Sequence, residues 1–213
     1  MNAPRDVFVH AAGICESASV GPGTRIWAFA HVLPGAVIGR DANICDHVFI
    51  EGGVTLGDRV TVKCHVALWE GVAVGDDVFI GPFVEVQSGV RVGDRCRIQS
   101  HSFICELVTI GNDCVVAHGV MFINDLFETG GPARGRRALW RATTIGNNVS
   151  IGSNATILPV AICDHVVIGA GSVVTRDIVE PGIYAGNPAR LLRPLASPGA
   201  DRADAPGGIE PNG

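Results

Sequence analysis

Residues 48–86 read VFIEGGVTLGDRVTVKCHVALWEGVAVGDDVFIGPFVEV, with a large apolar residue at every sixth position. A period of six fits neither the roughly 3.6 residues of a helical turn nor the simple alternation of an isolated strand. A short period sustained over many repeats predicts a solenoid, in which each repeat packs only on its neighbours. The spacing continues outward without a break, and its positions are Phe8, Ile14, Val20, Ile26, Val32, Ile38, Ile44, Ile50, Leu56, Val62, Leu68, Val74, Ile80, Val86, Val92, Ile98, Ile104, Ile110, Val116 and Phe122.

Each hexad also carries a small or β-branched residue two places before the large one, as in Ala30, Val60 and Val120. Side chains two apart on a strand share a face, so we expect each hexad to send one large and one small residue inward. Gly, Asp, Asn or His usually fills the fourth place, where a left-handed backbone angle would suit them. Three such sides would close a triangular coil of 18 residues.

The repeat predicts one domain over residues 8–195, preceded by a short leader at 1–7. After a gap it resumes at Ile145, slips by one residue at Ile162 and ends at Val174, which gives nearly nine coils. At roughly 4.8 Å per coil the column would be about 40 Å long. Residues 124–144 form the one long interruption and are predicted to be an extruded loop. Residues 180–195 would cap the column, and 196–213, rich in Gly, Pro, Ala and Asp, would be a disordered tail.

Composition limits the function. A formal charge of −5 and a pI near 5.7 argue against a nucleic-acid surface. The N-terminus lacks the pattern of a signal peptide, and no stretch approaches the apolar length of a membrane span, so we expect a cytoplasmic location. The seven cysteines are too scattered for a metal motif and are interpreted as reduced packing residues.

His118 is the candidate catalytic residue. It takes the third place of its hexad, just before the loop, on one corner column with Ser100 below and Ser153 and Ala170 above. If an amine or an alcohol is to attack a thioester, a base is required, and imidazole suits that role near neutral pH. The alternative is that His118 is a surface residue at a corner with no catalytic role.

Four further histidines take the fourth place of their hexads: His47, His65, His101 and His165. Two histidines two coils apart are about 9.6 Å apart along the column, too far to share one metal ion. We therefore interpret these residues as turn residues and predict no metal site.

The loop carries Arg134, Arg136, Arg137 and Arg141 together with Trp140. That mixture suits phosphate contacts and base stacking. It equally suits a solvated basic loop that packs on a neighbouring subunit, and the sequence leaves both interpretations open.

The repeat resembles the left-handed parallel β-helix of the hexapeptide-repeat acyltransferases, and the handedness comes from that resemblance alone. The stretch TRIWAFAHVLPGAVIGRDANICDHVFI (24–50), TVKCHVALWEGV (61–72) and MFINDLF (121–127) look like the sugar-nucleotide 3-N-acetyltransferases. Those enzymes acetylate a 3-amino deoxysugar carried on dTDP or UDP, on the route to bacterial surface polysaccharide. Two features depart from the family: its loop usually comes about two coils earlier, and some members have no catalytic base where this chain has His118.

The resemblance implies a homotrimer with acetyl-CoA in the groove between two columns and no metal ion. Small residues suit such a groove because pantetheine runs close to the backbone. The donor-binding residues would be Ser153, Asn154, Gly169, Ala170, Gly171, Ser172, Asn187, Pro188 and Arg190. The acceptor-binding residues would be Asn124, Asp125, Arg134 and Trp140, with Asn124 and Asp125 orienting the sugar.

The leading hypothesis is therefore acetyl transfer from acetyl-CoA to the amine of a nucleotide-linked amino deoxysugar. Three alternatives stay open: O-acetylation of a sugar or serine, a metal protein like the β-helix carbonic anhydrases, and a scaffold without activity.

Overall fold

The computed structural model describes residues 7–195, and short parallel strands make up nearly all of its regular structure. The first strands are β1 Phe8–Val9, β2 Ile14–Cys15, β3 Ser19–Val20, β4 Arg25–Ile26, β5 His31–Val32, β6 Val37–Ile38, β7 Asn43–Ile44, β8 Phe49–Ile50, β9 Thr55–Leu56 and β10 Thr61–Val62. Next come β11 Ala67–Leu68, β12 Ala73–Val74, β13 Phe79–Ile80, β14 Glu85–Val86, β15 Arg91–Val92, β16 Arg97–Ile98, β17 Phe103–Ile104, β18 Val108–Ile110, β19 Val115–Val116 and β20 Met121–Phe122. The last are β21 Thr143–Ile145, β22 Ser150–Ile151, β23 Thr156–Ile157, β24 Ala161–Ile162, β25 Val166–Ile168, β26 Val173–Val174, β27 Gly182–Ala185 and β28 Arg190–Arg193.

The strands form the three flat sides of a triangular column. Face A runs from β1 through every third strand to β25 and then β27 and β28; face B runs from β2 to β26, and face C from β3 to β24. From β4 to β20 a strand pairs in parallel with the strand 18 residues later, as Thr61 pairs with Phe79. Across the loop the step is 35 residues, as from Val115 to Ser150, and above the loop it is 17. Only β28 is antiparallel, against β27. The left-handed parallel β-helix predicted from the sequence is confirmed.

The inside of the column is filled as the repeat predicts. The large residues of the hexads, such as Ile80 and Ile98, are fully buried, and so are the small residues two places before them, Val78 and Cys96. Four polar residues take small inward places: Thr24, Ser102, Thr143 and Ser172. Thr24 illustrates how they are accommodated. Its hydroxyl donates to the Gly39 carbonyl (2.8 Å) and accepts the Ala42 amide (3.1 Å), so burial leaves it satisfied.

The corners explain the residue types of the turns. The fourth-place histidines His47, His65, His101 and His165 all have φ between 58° and 61°, which confirms them as left-handed turn residues. At the corner between faces C and A, the second place is glycine in coil after coil, because the coils touch there. A Cβ built on Gly111 would lie 2.7 Å from the Gly146 carbonyl oxygen, closer than real Cβ contacts come.

Polar ladders climb the same corner. Side-chain oxygens of Asp58, Asp76, Asp94, Asn112, Asn147 and Asp164 each accept the backbone amide of the equivalent residue one coil below, at 2.7–2.9 Å. Beside them, Arg59 pairs with Asp77 and Arg95 with Asp113 through two hydrogen bonds each. Hydrogen bonds from Arg95 lower the pKa of Asp113, and those from Arg59 lower that of Asp77. The exposed corner is thus tied together along the column axis.

The structure corrects the sequence prediction at both ends. In the first coil Val9 pairs with Ile26 and Cys15 with Val32, so the register is shifted by one residue and Phe8 and Ile14 are exposed. A shift of one reverses the faces of a strand; it costs little here because no coil of residues 7–195 lies beneath the first. Val7 packs against the core instead of belonging to a leader.

Two further boundaries differ. The predicted loop 124–144 ends earlier, because residues 143–145 already form β21 on face C against β18. The column continues past Val174, since Ile178 bridges to Ile162 and is buried. The predicted tail 196–213 lies outside the described residues. Between residues 7 and 195 there is no helix of the length and apolarity that a membrane span requires.

The glycine column yields a stability prediction. Gly111→Ala places a methyl group against the Gly146 backbone, and relieving that overlap should destabilise the fold by about 1–3 kcal/mol. Gly131→Ala is the matched control, since its Cβ would meet nothing within 4 Å. Urea unfolding followed by circular dichroism measures both. Equal midpoints for the two variants would show that the coils do not touch at this corner.

Candidate functional site

His118 is exposed at the corner between faces A and B, in the turn between β19 and β20. Its Nδ1 lies 2.9 Å from the Ser100 hydroxyl, which sits in the same place of the coil below. This hydrogen bond fixes the ring and leaves Nε2 directed away from that partner. An imidazole held by one nitrogen with the other available is the arrangement that a general base needs.

The predicted donor residues lie directly above His118 on the same corner. The Asn154 amide donates to the His118 carbonyl (2.8 Å), and the Gly171 amide donates to the Ser153 carbonyl (2.8 Å). Ser153 and Ala170 therefore continue the column of His118, with Gly169 beside it. The sequence prediction that these residues share one corner is confirmed; their contact with a donor stays a prediction.

The C-terminal hairpin of β27 and β28 closes the top of this corner. Ser172 is fully buried and its hydroxyl accepts the Gly186 amide (3.1 Å), while the Gly186 carbonyl accepts the Val173 amide (3.0 Å). Ser172 thus holds the hairpin on the column, a role that the sequence did not reveal. Asn187 and Pro188 follow in the exposed turn, joined by a cis peptide bond.

Arg190 lies on a small cleft beside the hairpin. The cleft holds about 190 Å³ and is lined by Val174, Thr175, Arg176, Asp177, Ile178, Tyr184, Ala189, Arg190 and Leu191. Arg176 brings a second guanidinium to it, which the sequence analysis did not single out. Arg176 and Asp177 lie in the turn that leads from face B to face C, so the cleft carries two guanidinium groups and one carboxylate at the top of the column.

Below His118 the same corner carries a stack of rings. Phe29, His47, His65, Phe83 and His101 follow one another at centroid distances of 4.7–5.0 Å, nearly parallel. The stack ends at His101, because the next residue of the column is Gly119. The rings meet face to face, which is a packing role. Among residues 7–195, no group of three His, Cys, Asp or Glu side chains is placed to hold a metal ion.

The loop leaves from a different corner. It begins after β20, at the corner between faces B and C, where Asn124 Nδ2 donates to the Glu106 carbonyl one coil below (3.4 Å). The strand between Gly119 and Ile123 spans about 13 Å at roughly 3.3 Å per residue. Within one chain the structure therefore separates His118 from the root of the loop, Asn124 and Asp125, and it records no contact between His118 and Arg134 or Trp140.

Asp125 organises the loop. Its Oδ1 accepts the Phe127 amide (2.9 Å) and its Oδ2 accepts the Ala133 amide (2.7 Å), and Ala133 is buried. Both carboxylate oxygens thus serve the loop backbone. Trp140 is half-buried at the end of the short 3-10 turn Arg137–Leu139, and Arg134 is exposed.

The cysteines are packing residues, as predicted. All seven are free thiols, and Cys96, Cys105 and Cys114 are buried. Burial raises the pKa of the Cys105 thiol to about 12. A buried thiol of that kind is a poor nucleophile at neutral pH.

The sequence placed Ser100 below His118, but it predicted neither the hydrogen bond between them nor the Glu106 partner of Asn124. Ser100 stands one coil below His118, and Glu106 one coil below Asn124. Each shares a column with its partner, so the 18-residue step was the signal available in the sequence.

These features define a class of protein: a β-helix of hexapeptide repeats with a histidine-bearing corner. The bacterial transferase hexapeptide model matches residues 17–52 and 71–106, and the model of the hexapeptide repeat of succinyl-transferase matches 142–176, together about half of the chain. The chain belongs to the hexapeptide-repeat transferases.

Individual relatives agree over short stretches. The chain is 55% identical over 53 residues to a galactoside O-acetyltransferase of Escherichia coli, covering 24% of this chain and 26% of the relative. It is 55% identical over 38 residues to a dTDP-3-amino-3,6-dideoxy-alpha-D-galactopyranose 3-N-acetyltransferase of Aneurinibacillus thermoaerophilus, covering 18% and 20%. The matches thus span about a quarter or less of these relatives. LpxA from Acinetobacter baumannii superposes with a TM-score of 0.70 at 17% identity over 86% of this chain and 73% of that one, a likeness of fold.

The contacts of Asp125 predict a positioning role. Asp125→Ala frees the Phe127 and Ala133 amides, so the loop should open and trypsin should cut after its arginines roughly ten times faster. Glu128→Ala is the control, because Glu128 binds only the exposed Arg141 side chain. Limited proteolysis followed by mass spectrometry locates the cuts. Equal cleavage rates in Asp125→Ala and the wild-type protein would exclude this role.

Proposed function

We propose that the protein transfers an acetyl group from acetyl-CoA to the amine of a nucleotide-linked amino deoxysugar, a step of surface polysaccharide biosynthesis. The observation that carries the proposal is His118, exposed at the corner and oriented by Ser100 beneath a column of small residues. The short match to a dTDP-amino-sugar 3-N-acetyltransferase supports an amine acceptor.

His118 would handle the proton. As the sugar nitrogen attacks the thioester carbonyl carbon, His118 Nε2 accepts a proton from that nitrogen. The carbon–sulfur bond then breaks, and the imidazolium returns the proton to the departing sulfur. The products are the acetamido sugar and free CoA. The Ser100 contact at Nδ1 keeps the ring in place throughout.

A backbone amide would stabilise the oxyanion. Ser153 stands one coil above His118, about 4.8 Å along the column. Its amide donates to no backbone or side-chain acceptor within residues 7–195, whereas the neighbouring Asn154 amide is used by the His118 carbonyl. A free amide beside the base is the donor type that charge on a thioester oxygen requires.

The corner above His118 fits the donor. Ala170 and Gly171 leave the backbone open to a thin pantetheine chain, and Asn154 adds an exposed amide side chain. Gly169 lies against Ala185 of the hairpin, and we propose it as a contact at the edge of that path. Arg190 in the C-terminal hairpin would meet its phosphates. We propose Asn187 and Pro188 as further contacts and Ser172 as the residue that holds the cap.

The acceptor site would be completed by a second chain. His118 and the loop lie on different corners of one column, so Asn124, Arg134 and Trp140 would approach the base of a neighbouring subunit. Asp125 would act by holding that loop. We therefore propose a homotrimer in which each site lies between two columns. A cytoplasmic location stays a prediction.

The test is thiol release from acetyl-CoA with a panel of dTDP- and UDP-linked amino sugars and their hydroxyl counterparts. The proposal predicts turnover with amines. The match to a galactoside O-acetyltransferase makes the alcohol arm a real competitor, and turnover with alcohols alone would establish O-acetylation instead.

The same assay tests the base. His118→Ala should lower kcat by roughly 10²- to 10⁴-fold without changing the binding of CoA, because the lost interaction belongs to proton transfer. His118→Asn is the sharper variant, since it keeps size and polarity without basicity. If either variant retains most of the wild-type rate while chemistry limits turnover, His118 is not the base.

A further inference from the structure

The four arginines of the loop fall into two pairs. Arg137 binds the Glu106 carboxylate (3.1 Å) and Arg141 binds the Glu128 carboxylate (3.0 Å). Arg134 and Arg136 have no carboxylate within salt-bridge distance among residues 7–195. The sequence could not separate these roles, and the structure leaves two guanidinium groups without a counter-charge.

Both of these arginines line one open cleft. It holds about 530 Å³, and its other lining residues are Thr129, Gly130, Gly131 and Pro132. No acidic side chain lines it. The glycines leave the backbone bare: a Cβ on Gly130 or Gly131 would meet nothing within 4 Å. The Gly130 amide already donates to the Phe127 carbonyl (2.8 Å), whereas the Gly131 amide has no acceptor among residues 7–195. Positive charge, a hydroxyl and this backbone amide together suit an oxyanion group.

The cleft is held in shape from within the loop. Ala133, buried between the two arginines and Asp125, donates its amide to the Asp125 carboxylate (2.7 Å) and accepts Arg136 Nε at its carbonyl (3.1 Å). That bond fixes the guanidinium plane of Arg136 and leaves its two terminal nitrogens for a ligand. Both carboxylate oxygens of Asp125 accept backbone amides, and Asp125 forms no salt bridge with Arg134 or Arg136.

We propose that this cleft binds the diphosphate of a nucleoside diphosphate, with Arg134 and Arg136 as the phosphate ligands. The inference rests on the proposed function and deepens it by naming the residues that would select a nucleotide-linked acceptor over a free sugar. Guanidinium groups bind phosphate oxygens in pairs, and two of them match two adjacent phosphates.

CoA is the other source of phosphate groups. The corner proposed for CoA runs from His118 to the C-terminal hairpin, between faces A and B, whereas the cleft lies on the loop at the opposite edge of face B. In the proposed trimer the loop would meet the neighbouring corner at the level of His118, where the thioester end of CoA is proposed, whereas the CoA phosphates are proposed at the hairpin, above Ser153 and Ala170. The nucleotide of the acceptor is therefore the occupant that the geometry favours.

Calorimetric titration of the full chain with UDP, dTDP, inorganic pyrophosphate, CoA and dephospho-CoA tests the site directly. UDP, dTDP and pyrophosphate should bind, and the double variant R134A/R136A should weaken all three by roughly 100-fold, about tenfold for each charge-assisted contact. CoA affinity should stay within twofold. R25A/R91A is the control of equal charge change, since both arginines are exposed and neither lines the cleft.

Unchanged binding of UDP and pyrophosphate in R134A/R136A would overturn the site. Weakened binding of CoA with unchanged dephospho-CoA and UDP would also overturn it, because the cleft would then serve the 3′-phosphate of the donor. If R25A/R91A lost as much affinity for UDP, dTDP and pyrophosphate as R134A/R136A, the effect would come from net charge alone, which would also contradict the site. None of these titrations needs turnover, so nucleotide binding without acetyl transfer would refute the proposed function and leave the cleft in place.

Discussion

Stacking of one coil on the next is the constraint on which the whole structure depends. Each strand pairs with the equivalent strand of the next coil, 18 residues away through most of the column, so equivalent residues of successive coils stand directly above one another. The residue at each position of a coil must therefore pack against the residue at the same position of the next coil, about 4.8 Å away. Glycine meets glycine where the coils touch, and Asx side chains satisfy the amides below them. Arginine alternates with aspartate where like charges would repel, as in Asp77 and Arg95.

The same constraint converts sequence distance into position along an axis. His118, Ser153 and Ala170 are far apart in the chain but consecutive on one corner. A single column can therefore carry a base, an amide donor and an open backbone groove in order. The column tolerates an insertion only at a corner, and residues 123–142 leave it there while β20 and β21 keep their places on faces B and C. The fold can therefore gain a loop with functional side chains while the packing of its core stays unchanged.

Periodicity also decides what the sequence could predict. The repeat predicts the three faces of the column and the residues that point inward. It also predicts the left-handed backbone angles at the turn histidines and the corner that His118 and Ser153 share. The first coil escaped prediction because the stacking that enforces register acts on it from one side only. Inside the loop no period exists, so the pairing of Arg137 with Glu106 and the two amides on Asp125 required coordinates. The sequence predicted that Ser172 lines the donor groove, because a small polar residue suits such a groove. A serine suits a buried hydrogen-bonding position equally well, and that is where Ser172 lies.

The central claim is that the corner of His118 is where the thioester reacts. A crystal structure of the protein with CoA tests it most directly. The account predicts that the pantetheine chain lies along Ala170 and Ser153, with its thiol within hydrogen-bond reach of His118 Nε2. A CoA molecule whose thiol lies at another corner or on a flat face would contradict the account.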